Sequence, residues 1–144
     1  MKKILLTVIA LSLVGGAIYG WREYHRGNPD LADAEARYSL EAPALIAAFE
    51  KDTAAAGRQY VDQILAVTGP VRSIDAVGNP VVIFIGTAGG LSSVRCSMDT
   101  AHAATYRALT AGSKVTIKGR CTGGEVSDMG LGTDVSLKNC VVVP

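Results

Sequence analysis

Cysteine, histidine and aromatic side chains are scarce in this chain, with three Cys, two His, two Phe and one Trp among 144 residues. Each scarcity weighs against a class of function. Cys96, Cys121 and Cys140 form no Cys-x-x-Cys and stand beside no histidine, which argues against a zinc site or a thioredoxin-like redox motif. The apolar run at the N-terminus holds no cysteine, which excludes a lipid-modified anchor. His25 and His102 lie apart from any serine or cysteine nucleophile motif, and a lone histidine usually serves generic roles. Glycine-rich GTAGG and TGGEVSDMGLG lack the Lys-Ser/Thr of a phosphate-binding loop. A net charge of +1 leaves no global field to attract nucleic acid or anionic lipid. The carboxylates of Asp62, Asp75, Asp99, Glu125, Asp128 and Asp134 fall mostly at strand ends and turns, where capping and solvation account for them. Asp128 and Asp134 could share a cation, but two acids on one loop are weak evidence for a site. The expectation is a protein without metal, cofactor or catalysis.

What the chain does have begins at its N-terminus. Met1-Lys2-Lys3 precedes ILLTVIALSLVGGAIYGW, residues 4–21, with no charge inside it. As a helix this run would rise roughly 27 Å, close to the ~30 Å of a bilayer's hydrocarbon core. Lys2 and Lys3 would hold the N-terminus in the cytoplasm, and Tyr19, Trp21 and Tyr24 suit the outer interface. The alternative is a cleaved signal peptide with Gly15-Gly16-Ala17 as its small-residue site. Either way the remainder is expected outside the cytoplasm, held at the inner membrane or secreted.

Texture divides the chain into four segments: an anchor or signal peptide over 1–21, a polar stalk over 22–38, a helical lead-in over 39–59 and a β domain over 60–144. In the lead-in, Leu40, Ala44, Leu45, Ala48 and Phe49 recur at helical spacing. They predict a helix over 42–51, with Ser39 as a candidate cap. Next, YVDQILAVTGPVRSI reads as a long first strand bent at Gly69-Pro70. VVIFIG and LSSVRCSM give strands two and three, Asp99 caps a small helix ended by Gly112, and KVTIKGRC and DVSLKNCVVV give strands four and five. Three strands, a helix and two strands, with a bent first strand, is the order of a five-stranded OB-fold barrel. The fold class is therefore all-β with short helices, preceded by a helix and a transmembrane or signal helix.

YVDQILAVTGPVRSI, VRCSM, GSKVTIKGRCTG and DVSLKNCVVV together resemble the bacterial tRNA-anti-like family of OB-fold proteins, over roughly 38–144. KGRCTG followed by LKNC is the most specific piece. The resemblance implies an export or membrane segment, a stalk, a helix and then the barrel, and says little about activity. HRGNPD is less basic than the family's corresponding stretch, and the loop GGEVSDMGLGT is longer.

Ligands of OB-folds lie across strands two and three. The outward side there offers Phe84, Ser93, Arg95 and Ser97, and Lys118 joins them from the Lys114, Lys118, Arg120 side of strand four. Nucleic acid would need stacking aromatics among cations, and only Phe84, Tyr60 and Tyr106 are available. The expected partner is accordingly a protein, peptide or envelope component, with single-stranded nucleic acid or structural self-association as alternatives.

An oxidising compartment also favours a disulfide. A strand-four/strand-five hairpin around TGGEVSDMGLGT would set Cys121 opposite about Asp134 and roughly 20 Å from Cys140, too far to bond. Strand five, parallel to strand three, brings Cys140 within about two residues of the level of Cys96. Simple alternation turns Cys140 the wrong way, so a Cys96–Cys140 bond requires a bulge at Asn139. Cys96–Cys121 is the rival pairing.

Overall fold

Alternation of apolar and polar side chains is what builds the domain after residue 60. The computed structural model describes residues 2–24 and 30–144, with side chains described at all of them except 2, 3, 5 and 6. His25, Gly27 and Pro29 of the expected stalk lie outside the described residues.

α1 (Lys2–Tyr24) carries the apolar run, with Leu11, Leu13 and Ile18 at least 60% exposed. Among the described residues no helix is long and apolar enough to cross a membrane, and the side chains of Leu5 and Leu6 are not among those described.

β1 (Tyr38–Glu41) leads directly into α2 (Ala42–Lys51), followed by α3 (Thr53–Tyr60). α2 spans the range its periodicity predicts. Ser39 does not cap it: that residue is in β1, and the N-cap position is Glu41, with Pro43 in the first turn. Asp52 caps α3 by accepting from the Ala55 amide.

The five expected strands are β2 (Ile64–Asp75), β3 (Val82–Ile85), β4 (Ser93–Met98), β5 (Lys114–Val126) and β6 (Thr133–Val143). They follow the order β2-β3-β4-β6-β5, and β2 pairs back onto β5 to close a barrel. β1 adds a sixth strand, parallel to β2. In β2 the irregularity expected at Gly69-Pro70 falls just past the pair, as a register shift between Val71 and Ser73, while Gly69 and Pro70 stay in unbroken register with β5. Gly69 is needed at its own position, because a Cβ would stand 2.6 Å from Ile85 Cγ2 and 3.1 Å from Ala42 of α2. The small helix is shorter than expected, a 3-10 turn (Thr100–His102) running into α4 (Ala103–Tyr106), with Asp99 accepting from the Ala101 amide.

Leu65, Val67, Ile83, Ile85, Val94, Ile117, Val135 and Leu137 fill the barrel. Leu45, Ile46 and Phe49 of α2 cover one end, and Tyr106 of α4 belongs to the same core. Burial of this apolar stripe, at ~25 cal/mol per Å2, is what holds α2 in place, since an isolated helix of ten residues is marginal in water.

Two expectations need correcting. The stalk does not run to residue 38, because the chain docks from Asp30 onward. Leu31 is 1% exposed, Lys118 Nζ donates to the carbonyls of Ala32 (2.7 Å) and Ala34 (2.6 Å), and the Arg37 amide donates to Ile64. Lys118 points outward, as its parity requires, but this segment covers it and leaves it 9% exposed. Its role is structural. Charge-assisted bonds of this kind contribute about 1.5–3 kcal/mol each. Lys118→Met keeps the stem and loses both bonds, so amide hydrogen exchange over residues 30–41 should quicken at least about ten-fold while the barrel strands stay protected. Unchanged exchange at those residues would show that Lys118 does not hold the segment.

The hairpin register also differs. β5 continues through Gly123 and Gly124 to Val126, so only residues 127–132 form the loop, and Cys121 lies opposite Leu137 rather than Asp134. The glycines read as a turn are absorbed into the strand by register shifts at Lys118/Arg120 and Cys121/Gly123.

Candidate binding face

Four strands contribute one side chain each to a row on the outer face. Ser73 of β2 pairs with Phe84 of β3, Phe84 with Arg95 of β4, and Arg95 with Ser136 of β6. Ser73 and Arg95 are exposed, and Phe84 and Ser136 are half-buried. Two positions along, Ser97 faces Val82, and Lys138 on β6 pairs with Arg120 on β5. The result is one aromatic face flanked by hydroxyls, with Arg95, Lys138 and Arg120 as cations on the same side of the sheet. Such a surface can stack a flat or apolar group on Phe84 and donate to carbonyls or anions beside it.

Of the five expected site residues, Phe84, Arg95 and Ser97 share this face. Ser93 has the right parity but is 2% exposed, and its hydroxyl donates to Asp134 Oδ1 at 2.7 Å. Lys118 lies under the docked N-terminal segment. Neither is available to a ligand. Ser73, Ser136 and Lys138 were not anticipated, and only the strand register brings them to Arg95. Tyr60 and Tyr106 are buried, which removes two of the three candidate stacking platforms. Phe84 remains. Asp134 is occupied by Ser93, and among the described residues no three His, Cys, Asp or Glu side chains group to hold a metal ion.

The cysteines sit beneath the opposite surface of the same strands. All three are free thiols, fully buried, so the expected Cys96–Cys140 bond is absent from this structure. The placement behind that expectation does hold. Met98 pairs with Cys140, Asn139 takes a positive φ of 53°, and the ladder shifts between Cys96 and Met98. The Cys96 thiol stands beside that of Cys140 and donates to the Val94 carbonyl at 3.9 Å. Burial pushes the Cys140 thiol well above the usual cysteine value, and the Cys96 thiol beside it adds to the rise. Cys121 is raised too, chiefly by burial. The rival Cys96–Cys121 pairing meets a barrier, since both residues flank Leu137 of the intervening β6. Two strand spacings of about 4.8 Å exceed the ~7 Å reach of a disulfide. With all three thiols buried, and the thiolate disfavoured at Cys121 and Cys140, protein purified under reducing conditions should take up no maleimide when native and three equivalents in denaturant. Rapid labelling of the native protein would contradict this burial.

The tRNA_anti-like family model matches residues 1–140. The chain belongs to that family. No curated protein matches it. Among solved structures, a protein from Klebsiella pneumoniae assigned as a nucleic acid-binding lipoprotein aligns with a TM-score of 0.57 at 20% identity, over 82% of this chain and 100% of that one. That likeness shows a shared fold. An OBody bound to hen egg-white lysozyme aligns at 14% identity and TM-score 0.44, over 59% of this chain and 85% of the other. An aspartyl tRNA synthetase from Entamoeba histolytica aligns at 15% and 0.44, over 83% of this chain and 23% of the enzyme.

Proposed function

We propose that this tRNA_anti-like chain is an exported, membrane-anchored OB-fold module that binds a ligand without catalysis, taking an extended protein, peptide or envelope segment across the β3–β4 face. The observation that carries this reading is the row Ser73–Phe84–Arg95–Ser136, an aromatic and a cation set among small hydroxyls on an otherwise packed barrel. Anchoring is supported by the charge-free run of residues 4–21 inside a 23-residue helix with Lys2 and Lys3 before it. A single accessible aromatic on this face suits one anchoring side chain of a polypeptide better than a run of stacked bases.

A photoreactive residue at Ser73 or Ser136 in the intact chain should crosslink a discrete partner in cells. Phe84→Ala with Arg95→Glu should weaken that crosslink about ten-fold or more, as loss of an interface hot spot does. Crosslinking that ignores both substitutions would dismiss the face as the binding site. A tag at the C-terminus, protected from protease in whole cells and accessible once the outer envelope is opened, tests the location.

Single-stranded nucleic acid is the second reading, favoured by Arg95 beside Phe84, by Lys138 and Arg120 farther along the same side of the sheet, and by the assignment of the Klebsiella protein. Three phosphate contacts predict a salt slope of roughly −2 for single strands. Fluorescence anisotropy with labelled oligonucleotides would reveal it, and no binding at low salt would remove this reading.

A further inference from the structure

The domain has two apolar regions at its surface, at opposite ends of β4. At one end, Leu91, Met129 and Leu131 stand exposed on the β3–β4 and β5–β6 loops. At the other, the β2–β3 loop and α4 enclose a cleft of about 550 Å3 lined by Ile74, Val81, Ala103, Tyr106, Leu109 and Arg107. Val77, at the tip of that loop, is 100% exposed. The six residues of β4 separate the two regions by roughly 20 Å, before the loops are counted.

The path of the chain distinguishes them. α1 is described as far as Tyr24, and the chain lies docked on the barrel from Asp30 onward. Six Cα steps span at most ~21 Å. Asp30 is fixed at the cleft end, with both carboxylate oxygens 3.0 Å from Nε2 of His102, the residue before α4. The Ala32 amide and His102 hold the Asp30 carboxyl below the ordinary carboxylate range. Leu31 and the Lys118 clamp secure residues 31–34 against the barrel. A bilayer holding α1, with Tyr19, Trp21 and Tyr24 at its interface, is therefore tethered closely to α4 and not to the Met129 loop.

The carboxylates at that end are engaged within the domain, which leaves Arg107 as the side chain there that is free to meet an outside group. Asp75 and Asp99 accept from the backbone amides of Val77 and Ala101, and Asp30 is engaged by His102. Arg107 on the rim is exposed and forms no ion pair among the described residues. We infer that the cleft between α4 and the β2–β3 loop docks on the membrane that holds α1, with Val77 entering the headgroup layer and Arg107 meeting an anionic phospholipid headgroup. This rests on the anchored reading above. Apolar side chains beside an uncommitted cation are what an interfacial site requires, and one arginine at an anionic surface changes contact about five-fold.

The full chain, reconstituted in phosphatidylcholine vesicles with or without phosphatidylglycerol, provides the test. Val77→Cys and Met129→Cys accept a fluorophore selectively, because the three native thiols are buried. A headgroup nitroxide should quench the label at 77 several-fold more than the label at 129, most strongly with phosphatidylglycerol. Arg107→Glu should remove the phosphatidylglycerol dependence, and Arg107→Lys should restore it. Equal quenching at the two positions, stronger quenching at 129, or indifference to Arg107→Glu would overturn the inference. Flotation separates the two readings. A chain that floats without quenching at 77 refutes the docking alone, whereas one that does not float refutes the anchor and the docking together.

Discussion

Phe49→Ala should destabilise the domain by about 3–5 kcal/mol, a large share of the ~5–15 kcal/mol that holds a domain of this size together. The ring is 1% exposed at the end of the barrel that α2 covers. It packs 6.3 Å from the ring of Tyr60, which in turn meets Tyr38 edge-on at 5.3 Å. One aromatic thus connects α2, α3, β1 and β5. Its contact on β5 is Gly124, where an added Cβ would stand 2.6 Å from Phe49 Cδ1. Truncation leaves a cavity that β-sheet backbone on one side and α3 on the other cannot close. Thermal unfolding followed by circular dichroism should show Tm falling by about 15 °C. Gly124→Ala alone should also destabilise, because its methyl overlaps the ring. The pair Phe49→Ala/Gly124→Ala should cost less than the sum, since the methyl then enters vacated space. Strict additivity would show that the ring does not rest on Gly124.

The position of Phe49 is legible in the sequence, and the reason is periodicity. Leu45 and Phe49 lie one turn apart and Pro43 suits a first turn, so helix 42–51 follows from local chemistry. Strand alternation likewise places Phe84, Arg95 and Ser97 on one face. What alternation does not show is what lies over that face. Ser93 is lost to Asp134 and Lys118 to two backbone carbonyls from residues 32 and 34, contacts spanning 41 to 86 positions. The stretch DLADAEAR gives no sign of docking, because it is held mostly by backbone groups, the carbonyls of Ala32 and Ala34 and the Arg37 amide, with one leucine and the Asp30 carboxylate besides. Register is the other blind spot. Gly123 and Gly124 look like a turn, yet bulges keep them in β5, which moves Cys121 three positions along its partner strand. Conversely, the bulge at Asn139 is legible because Cys140 stands out of phase with its neighbours. A conflict of parity at a buried residue type carries more information than smooth alternation does.

Gly119→Val tests that bulge directly and should cost about 3 kcal/mol or more, at the upper end of what overpacking produces. Gly119 faces inward between Ile117 and Cys121 on β5, opposite the extra residue of β6. A Cβ there would stand 2.5 Å from Cys140 Sγ, 3.2 Å from Leu137 Cβ and 3.3 Å from the Lys138 carbonyl oxygen. Space for the thiol exists because this residue has no side chain. Valine could be admitted only by separating β5 from β6, and those two strands share the longest ladder in the barrel. Urea unfolding should show a lower midpoint with an unchanged slope. Gly119→Ala should do the same to a smaller degree, and adding Cys140→Ala should recover most of that loss, because the thiol is the nearest obstacle. If the second substitution brings no recovery, the backbone of β6 and not the sulfur sets the limit. The glycine, the positive φ of Asn139 and the inward thiol form one device: remove the glycine and the bulge can no longer deliver Cys140 to Cys96.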